Sequence, residues 1–186
     1  SMNPANLDRE LRDSPYYERV QQSLMAKLPD LGYDDFVLTD AQGRTLVNGD
    51  NQLIGVEITG EHRKLVDKVL AGEALVSRPT RSLRVIRDGD ELKSGVPVMF
   101  AGAPVLNAEN KPIAVLLLRM RPEGEFSRLL MAASFGKSGE TYAFNETGLM
   151  LSQSRFDSEM KRVGILPDTP DASSLLTLEL RDHNMV

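Results

Sequence analysis

The sequence predicts an α+β fold, in which an antiparallel sheet of five strands is covered by helices and follows a long N-terminal helix. Three observations lead to this expectation. Apolar residues recur every four positions near the N-terminus, as they do along one face of a helix. Short runs rich in apolar and β-branched residues follow, and polar turns separate them, as in antiparallel strands. A strand–turn–strand pattern then occurs a second time near the C-terminus.

Composition excludes several classes of protein. The chain has 186 residues, 41% of them hydrophobic and 26% charged, which is typical of a folded globular protein and not of a disordered one. Its net charge of −5 argues against nucleic acid as a partner, because that requires clustered positive charge. With no cysteine there is no disulfide, thiolate metal site or cysteine nucleophile. The longest apolar run, Ile113–Leu118, is far shorter than the ~20 residues of a membrane span.

The N-terminal region, residues 3–29, is predicted to be helical. Pro15 interrupts the pattern and is favourable at the first position of a helix, so a second helix is expected over 15–28. Pro29 then ends it. The apolar positions that define the shared face are Leu7, Leu11, Val20, Leu24 and Leu28.

A β-hairpin and a helix come next. Phe36–Thr39 and Thr45–Val47 are expected to be strands, since the Asp40–Gly43 segment between them supplies the residues of a tight turn. After Thr59 the spacing of apolar residues predicts an amphipathic helix of about twelve residues, which Gly72 closes.

Three further strands and a helix complete this part of the pattern. Ala74–Ser82 is an expected edge strand, and Val96–Leu106 and Ile113–Met120 are expected to be paired central strands. Glu123–Ala133 is expected to form a short helix. This order of helix, hairpin, helix, three-strand meander and helix is a PAS-like plan. Small-molecule sites commonly lie in concavities such as the one between this kind of sheet and its helix.

The C-terminal third repeats the hairpin pattern. Thr141–Phe144 and Leu149–Ser152 flank the polar turn Asn145–Gly148, and Leu175–Leu180 resembles one more strand. The expected organisation is an N-terminal helical segment at 1–31, a PAS-like domain at 32–133 and a C-terminal segment at 134–186 that does not complete a domain.

Four segments resemble one known family. Phe100–Val105, Asn107–Arg119, Phe126–Leu130 and Gly139–Phe156 are similar to the double Cache family, the extracytoplasmic PAS-like sensor domains of bacterial membrane receptors. The resemblance covers roughly 32–186, and its C-terminal part resembles only the start of a second Cache domain. The amino-acid-binding signature of many chemoreceptor Cache domains is not matched in 50–105. The resemblance therefore implies a sensor without naming its ligand.

What the resemblance implies can be stated as expectations. In such receptors the first helix rises from the membrane, two PAS-like domains follow, and a second membrane helix leads to a kinase, cyclase or chemoreceptor module. The chain is accordingly expected to be non-enzymatic and extracytoplasmic (periplasmic), with a small-molecule ligand and without cofactor, metal or nucleic acid. It is expected to form a homodimer through its N-terminal helix. Ser1 and Met2 are typical of an expression-tag remnant, so a longer parent protein with its own membrane anchors is expected.

Candidate ligand contacts come from a spaced basic run between Arg78 and Arg87. If the first part of this run is a strand at the edge of the cavity, Arg78 and Thr80 share one face and Arg81 points to the other. Because a guanidinium binds a carboxylate through two hydrogen bonds, the run favours an anionic ligand. The alternative is a solvated loop whose arginines balance nearby carboxylates.

The two central strands supply the other candidates. Met99 and Ala101 alternate with Val98 and Phe100, and the sequence leaves open which set faces the cavity. Arg119 interrupts an apolar strand, so it must either lie at the strand exit or be paired. The predicted ligand-binding residues are Arg78, Thr80, Arg81, Met99, Ala101 and Arg119.

Other suggestive motifs have simpler explanations. Gly136–Ser138 is not a phosphate loop, because Met131 stands where that motif needs glycine. His62 and His183 are far apart in sequence, and His62 is expected on the solvated face of a helix. Asp88–Glu91 lacks the spacing of a calcium loop and is expected to be a turn.

Two alternative functions remain at this level. The chain could be a cytoplasmic PAS-type module that dimerises without ligand, with Val20, Leu24 and Leu28 as the dimer seam. It could also be an enzyme that uses Asp, Glu and Arg, although the sequence shows no paired acid and base.

Overall fold

The computed structural model describes residues 4–133, 136 and 139–181. Their contacts separate into two units. Unit 1 contains the described residues up to Ser77 together with Phe100–Met120, and unit 2 contains Arg78–Met99 and the described residues from Arg121 onward. In chain order the elements are α1 (Pro4–Arg12), α2 (Tyr17–Met25), β1 (Asp35–Asp40), β2 (Thr45–Asn48), α3 (Gly60–Leu70), β3 (Leu75–Val76), β4 (Thr80–Arg81), β5 (Ile86–Asp88), β6 (Glu91–Lys93), β7 (Pro97–Leu106), β8 (Pro112–Met120), α4 (Glu125–Ala132) and α5 (Asp157–Arg162).

The sheet of unit 1 has the strand order β2-β1-β8-β7-β3. β1 pairs antiparallel with β2 and with β8, and β3 pairs antiparallel with β7. The first hairpin therefore lies at one edge, and the last two long strands lie inside the sheet. β1 pairs with β8 without interruption, from Asp35 opposite Arg119 to Asp40 opposite Ala114. The predicted fold class, an α+β PAS-like fold with an antiparallel sheet and covering helices, is confirmed. The predicted edge strand Ala74–Ser82 is present as two short strands, β3 and β4, which both pair with β7, so the sheet has six strands where five were expected.

The predicted N-terminal helical region is present as two helices. α1 ends at Arg12 and α2 begins at Tyr17, so the break falls at Ser14 and Pro15 as expected. The second helix is shorter than the predicted 15–28, because it ends at Met25. Pro29 then begins a short 3-10 helix, Pro29–Leu31, which Gly32 closes in the left-handed conformation at φ 78°.

Apolar clusters lie on both faces of the unit 1 sheet. On one face the buried residues of α3, Leu65, Val66 and Val69, pack against Val37, Val115 and Leu117. We call this the α3 face. On the other face Phe36 and Val47 pack with Tyr17 and Leu28 from the N-terminal region. Burial of apolar area on two faces supplies most of the driving force for folding of this unit.

The apolar stripe of the N-terminal region packs on its own sheet. Leu28 is buried, and Leu11, Val20 and Leu24 pack against the same cluster as Phe36. Leu11, Val20, Leu24 and Leu28 are thus covered within the chain, which argues against Val20, Leu24 and Leu28 being chiefly a dimer seam.

A glycine sets the distance between α3 and the sheet. A Cβ built at Gly102 on β7 would come within 2.8 Å of Val69 Cγ2 and 3.1 Å of Leu117 Cδ2. Only a residue without a side chain allows this approach. The same geometry orients β7: Phe100 and Gly102 face α3, and Ala101 between them faces the opposite side.

Unit 2 contains a two-stranded hairpin that the sequence did not indicate. β5 and β6 pair in antiparallel register, with Ile86 opposite Lys93 and Asp88 opposite Glu91. The expected turn at Asp88–Glu91 is therefore correct, but strands flank it where a polar loop was expected. β4 pairs with the start of β7, with Thr80 opposite Val98.

The second predicted hairpin is present only in part. Its turn closes through Gly148 N donating to Asn145 O at 3.0 Å, and a single bridge joins Phe144 to Met150. A further bridge joins Leu149 to Glu179, so the strand-like segment Leu175–Leu180 also pairs there. The expectation of full strands was wrong, since these residues form isolated bridges.

Buried polar side chains organise the rest of unit 2. Ser174 Oγ accepts from Ser154 N at 2.8 Å, and the Asp157 carboxylate accepts from Ser174 N at 3.3 Å. Ser152 Oγ accepts from Ala143 N at 2.9 Å. Ser152, Ser154, Asp157 and Ser174 are all buried. Each contact satisfies a backbone N–H that a regular strand would have paired with a carbonyl.

The domain boundaries at 31/32 and 133/134 stay a prediction. Within the described part of the chain, no helix is long and apolar enough to cross a membrane. Gly136 is described, whereas Lys137, Ser138 and His183 lie outside the described residues.

Candidate functional site

The six predicted ligand-binding residues belong to different units. Arg78, Thr80, Arg81 and Met99 are in unit 2, whereas Ala101 and Arg119 are in unit 1. Each group is therefore considered within its own unit.

In unit 2 both arginines have protein partners. Arg78 Nη1 lies 2.8 Å from Glu146 Oε2 in an exposed ion pair. Arg81 Nη2 donates to Leu176 O at 2.9 Å and to Thr177 Oγ1 at 3.0 Å. Arg81 thus holds the segment around Leu176 against β4, which is a structural role. The Thr80 hydroxyl is buried and has no hydrogen-bond partner among the described residues, and the Met99 side chain is buried.

In unit 1 Arg119 is paired with two carboxylates at the end of β8. Its Nε lies 2.7 Å from Asp34 Oδ1 and its Nη1 lies 3.2 Å from Asp35 Oδ2. The Arg119 side chain is only 13% exposed. Burial raises the pKa of Asp35, and the charge of Arg119 opposes that shift. The expectation that this arginine needs a partner is confirmed, and that partner is the protein itself.

The α3 face holds polar groups that the sequence analysis missed. Thr39 and Thr45 lie opposite each other on β1 and β2, and Thr39 also lies opposite Val115 of the α3 cluster. Their exposures are 0% and 1%. Neither hydroxyl has a hydrogen-bond partner within the described ranges. A buried unpaired hydroxyl costs about 1–3 kcal/mol, so these two positions are unfavourable for the chain alone.

The third polar group on this face is His62, which belongs to α3 itself. Its ring meets the Phe100 ring edge to face, with centroids 5.0 Å apart and planes at 82°. Burial lowers the pKa of His62 from its usual 6.5, and the neighbouring Glu61 opposes that shift. The imidazole is therefore mostly neutral at pH 7 and can both donate and accept one hydrogen bond. The expectation that His62 lies on a solvated helix face was wrong, because its ring packs on β7.

The α3 face thus combines an apolar surface with a few hydrogen-bonding groups. Two hydroxyls and one neutral imidazole can orient a small molecule, but they offer no fixed charge. In residues 4–133 and 139–181 no cluster of three or more histidine, aspartate or glutamate side chains is placed to hold a metal ion. One signal was present in the sequence: Thr39 comes two positions after Val37, at an inward position where an apolar residue is expected.

No family model and no curated protein matches the sequence. Among solved structures, the V. cholerae histidine kinase DctB sensor domain is 15% identical, with a TM-score of 0.43 over 63% of this chain. This chain spans only 42% of the length of that domain. The E. coli DcuS sensor domain is 20% identical, with a TM-score of 0.40 over 63% of this chain and 85% of that one.

A third similar structure is a domain of a sensory box/GGDEF family protein from Vibrio parahaemolyticus. It is 13% identical, with a TM-score of 0.41, over 83% of this chain and 67% of that one. These neighbours are sensor domains or belong to sensory proteins.

Proposed function

We propose that this chain is the non-enzymatic, small-molecule-sensing domain of a transmembrane signalling receptor, located on the extracytoplasmic side of the membrane. The observation that carries the proposal is the pair of hydroxyls at Thr39 and Thr45, which are buried under α3 without a partner in the described part of the chain. A ligand that bonds to them recovers the energy that their burial costs.

The six residues predicted from the sequence remain proposed contacts for an anionic ligand. An anion at Arg78 would replace its exposed ion pair with Glu146, and such surface pairs are worth about 0–1 kcal/mol. Arg119 is a poorer candidate, because two carboxylates already neutralise it in a mostly buried position. The α3 face therefore favours an uncharged ligand, whereas the Arg78–Arg81 segment favours an anion.

A thermal-shift screen of the chain tests the proposal. The probes are amino acids, carboxylates, polyamines, nucleobases and sugars. A binder at 100 times its dissociation constant stabilises the fold by about 2.7 kcal/mol. At about 2–4 °C per kcal/mol for a chain of this length, the melting temperature rises by about 5–11 °C. A flat screen across all five classes contradicts direct sensing of these compounds.

Variants then locate the binding site. With the α3 face as the site, Thr39→Val and Thr45→Val lose the response to the compound found in the screen. Thr169→Val is the matched control, because this threonine is exposed in unit 2. A response that survives both threonine changes and disappears in Arg78→Ala assigns binding to the arginine segment and overturns the α3 site.

We also propose a homodimer through the N-terminal helix. Because the apolar stripe of this helix packs on its own sheet, the dimer would use the exposed residues of α2, such as Glu18, Arg19 and Gln22. Sedimentation velocity with Arg19→Glu measures this, with dissociation as the expected result. A wild-type chain that stays monomeric up to millimolar concentration contradicts the dimer.

A further inference from the structure

The connection between β2 and α3, residues 49–59, touches both sides of the unit 1 sheet. β2 is the edge strand, and the chain passes around this edge on its way to α3. Two consecutive residues then enter different clusters. Leu53 packs against the cluster of the α3 face, and Ile54 is buried in the cluster of the N-terminal helices. Movement on either side therefore acts on adjacent residues of one short segment.

The N-terminal helices hold the first half of this connection. Gln21 Nε2 donates to Asn48 O at 3.1 Å and to Gly49 O at 3.0 Å. The Tyr17 hydroxyl donates to the side-chain oxygen of Asn51, and Arg12 Nη2 donates to Asn51 O at 2.9 Å. Three side chains of α1 and α2 thus converge on a loop of four residues.

The loop that they hold is itself braced. Asn48 is fully buried, and its Oδ1 accepts from Leu53 N at 3.3 Å. The Asp50 Oδ1 accepts from Gln52 N at 3.0 Å. Asn51 adopts the left-handed conformation, with φ at 62°, which asparagine tolerates better than most residues. A braced loop moves as a unit, so displacement of one end reaches the other.

The second half of the connection is hydrogen-bonded to the first hairpin. Thr45 N donates to Val56 O at 2.9 Å, and Gly55 N donates to Thr45 O at 2.8 Å. Ile58 N donates to Gly43 O at 2.8 Å, and the Ile58 side chain packs on the α3 cluster. Thr45 is also one of the two threonines with a buried, unpartnered hydroxyl in the described ranges. The backbone of Thr45, a residue of the candidate site, is therefore hydrogen-bonded to this connection.

We propose that the β2–α3 connection couples the N-terminal helices to the α3 face, so that a displacement on one side shifts the other. By linkage the coupling acts equally in both directions. Its use as the route from ligand to N-terminal helix rests on the proposed function, whereas the coupling itself needs no ligand.

Amide hydrogen exchange of the whole chain tests the coupling. In Gln21→Ala the loop loses the three hydrogen bonds that Gln21 donates to Asn48 O, Gly49 O and Asn51 Oδ1. The amides of Gly55 and Ile58 then exchange about tenfold faster, because local opening becomes easier. Gln22→Ala is the matched control, since Gln22 is an exposed glutamine on the same helix. Tyr17→Phe is the second variant, because it removes only the hydroxyl and keeps the buried ring.

A variant on the α3 side tests the coupling independently, through amide exchange in the part of the connection near the N-terminal helices. Ile58→Val removes one methyl group on the α3 side and should speed exchange at Gly49 and Gln52, in the half of the connection that the N-terminal helices hold. Ile113→Val is its control, because Ile113 is half exposed on β8. Faster exchange confined to residues 48–53 in Gln21→Ala overturns the proposal, and so does a uniform increase that includes β1 and β8. Neither result bears on ligand binding, so failure of the coupling and failure of the proposed function are distinguishable.

Discussion

The interactions that stabilise unit 1 internally differ from those that stabilise unit 2 internally. In unit 1 apolar side chains fill both faces of a regular sheet. In unit 2 several buried positions are serines and an aspartate that accept hydrogen bonds from the backbone. Unit 2 also buries apolar side chains, among them Leu166 and Leu175, and both units leave some large apolar side chains exposed. The comparison indicates that unit 1 is stabilised by apolar packing on both faces of its sheet, whereas unit 2 combines apolar burial with individual polar contacts.

The largest expected effect comes from matched truncations of phenylalanine in the two units. Phe36 is completely buried in unit 1, so Phe36→Ala should lower the free energy of unfolding by about 3–5 kcal/mol. Phe144→Ala in unit 2 should cost less than about 1 kcal/mol, because its ring is mostly exposed. Urea denaturation followed by circular dichroism measures both. Equal costs would contradict the difference in burial between these two positions.

Truncation of a buried serine tests whether polar contacts stabilise unit 2. Ser174→Ala leaves the Ser154 N–H without its acceptor in a buried position and should cost about 1–3 kcal/mol. Ser158→Ala is the control, because Ser158 is exposed on α5 and should change stability by less than about 0.5 kcal/mol. If the two variants unfold at the same urea concentration, the buried serine contacts do not stabilise unit 2.

A smaller effect of opposite sign is expected in unit 1. Thr45→Val replaces a buried hydroxyl that lacks a partner in the described residues with a methyl group of similar shape. The chain without ligand should gain about 1 kcal/mol, or about 2–4 °C in melting temperature. A loss of stability instead would show that the hydroxyl is satisfied in solution, by water or by a small backbone movement.

The smallest effect concerns pH. Burial lowers the pKa of His62, so the unfolded chain binds the proton more tightly than the folded one. The contribution of His62 to stability is therefore fully present above pH 6.5 and is lost as the pH falls through its folded pKa. Between pH 7.5 and 5.5 the melting temperature should fall more steeply for the wild type than for His62→Gln. Parallel curves would mean that His62 is solvated.

Much of unit 1 was predictable because its elements follow simple periods. The hairpin at β1 and β2 has apolar and β-branched residues and a turn of Asp and Gly, and α3 has apolar residues at helical spacing. β7 and β8 are long enough for β-branched and apolar enrichment to identify them. Each of these signals arises from apolar side chains that pack on the sheet of unit 1.

Unit 2 lacks such signals, and the prediction failed there for that reason. β5 and β6 carry mostly charged or exposed residues, so no alternation marks them. The bridges at Phe144 and Leu149 join single residues, although the local sequence favours longer strands. α5 begins at Asp157, whose carboxylate accepts from Ser174, and a contact between residues so distant in sequence leaves no local pattern.

Prediction of the candidate site is limited for the same reason, because contacts between residues distant in sequence leave no local pattern. Sequence reasoning selected arginines because guanidinium groups bind anions, and it had no means of finding the partners that occupy Arg81 and Arg119. It predicted that Arg119 needs a partner, since that follows from the cost of an isolated buried charge. It did not find Thr39 and Thr45, because a threonine in a strand is ordinary until its neighbours are known.

Gly102 allows α3 to pack closely against β7, because it has no side chain. Because a single methyl group at this position would press on Val69 and Leu117 together, Gly102→Ala would wedge α3 away from the sheet without altering any polar group. The separation of α3 from β7 at this point is thus limited by one atom on β7. It can be changed without altering the hydroxyls of Thr39 and Thr45 or the imidazole of His62.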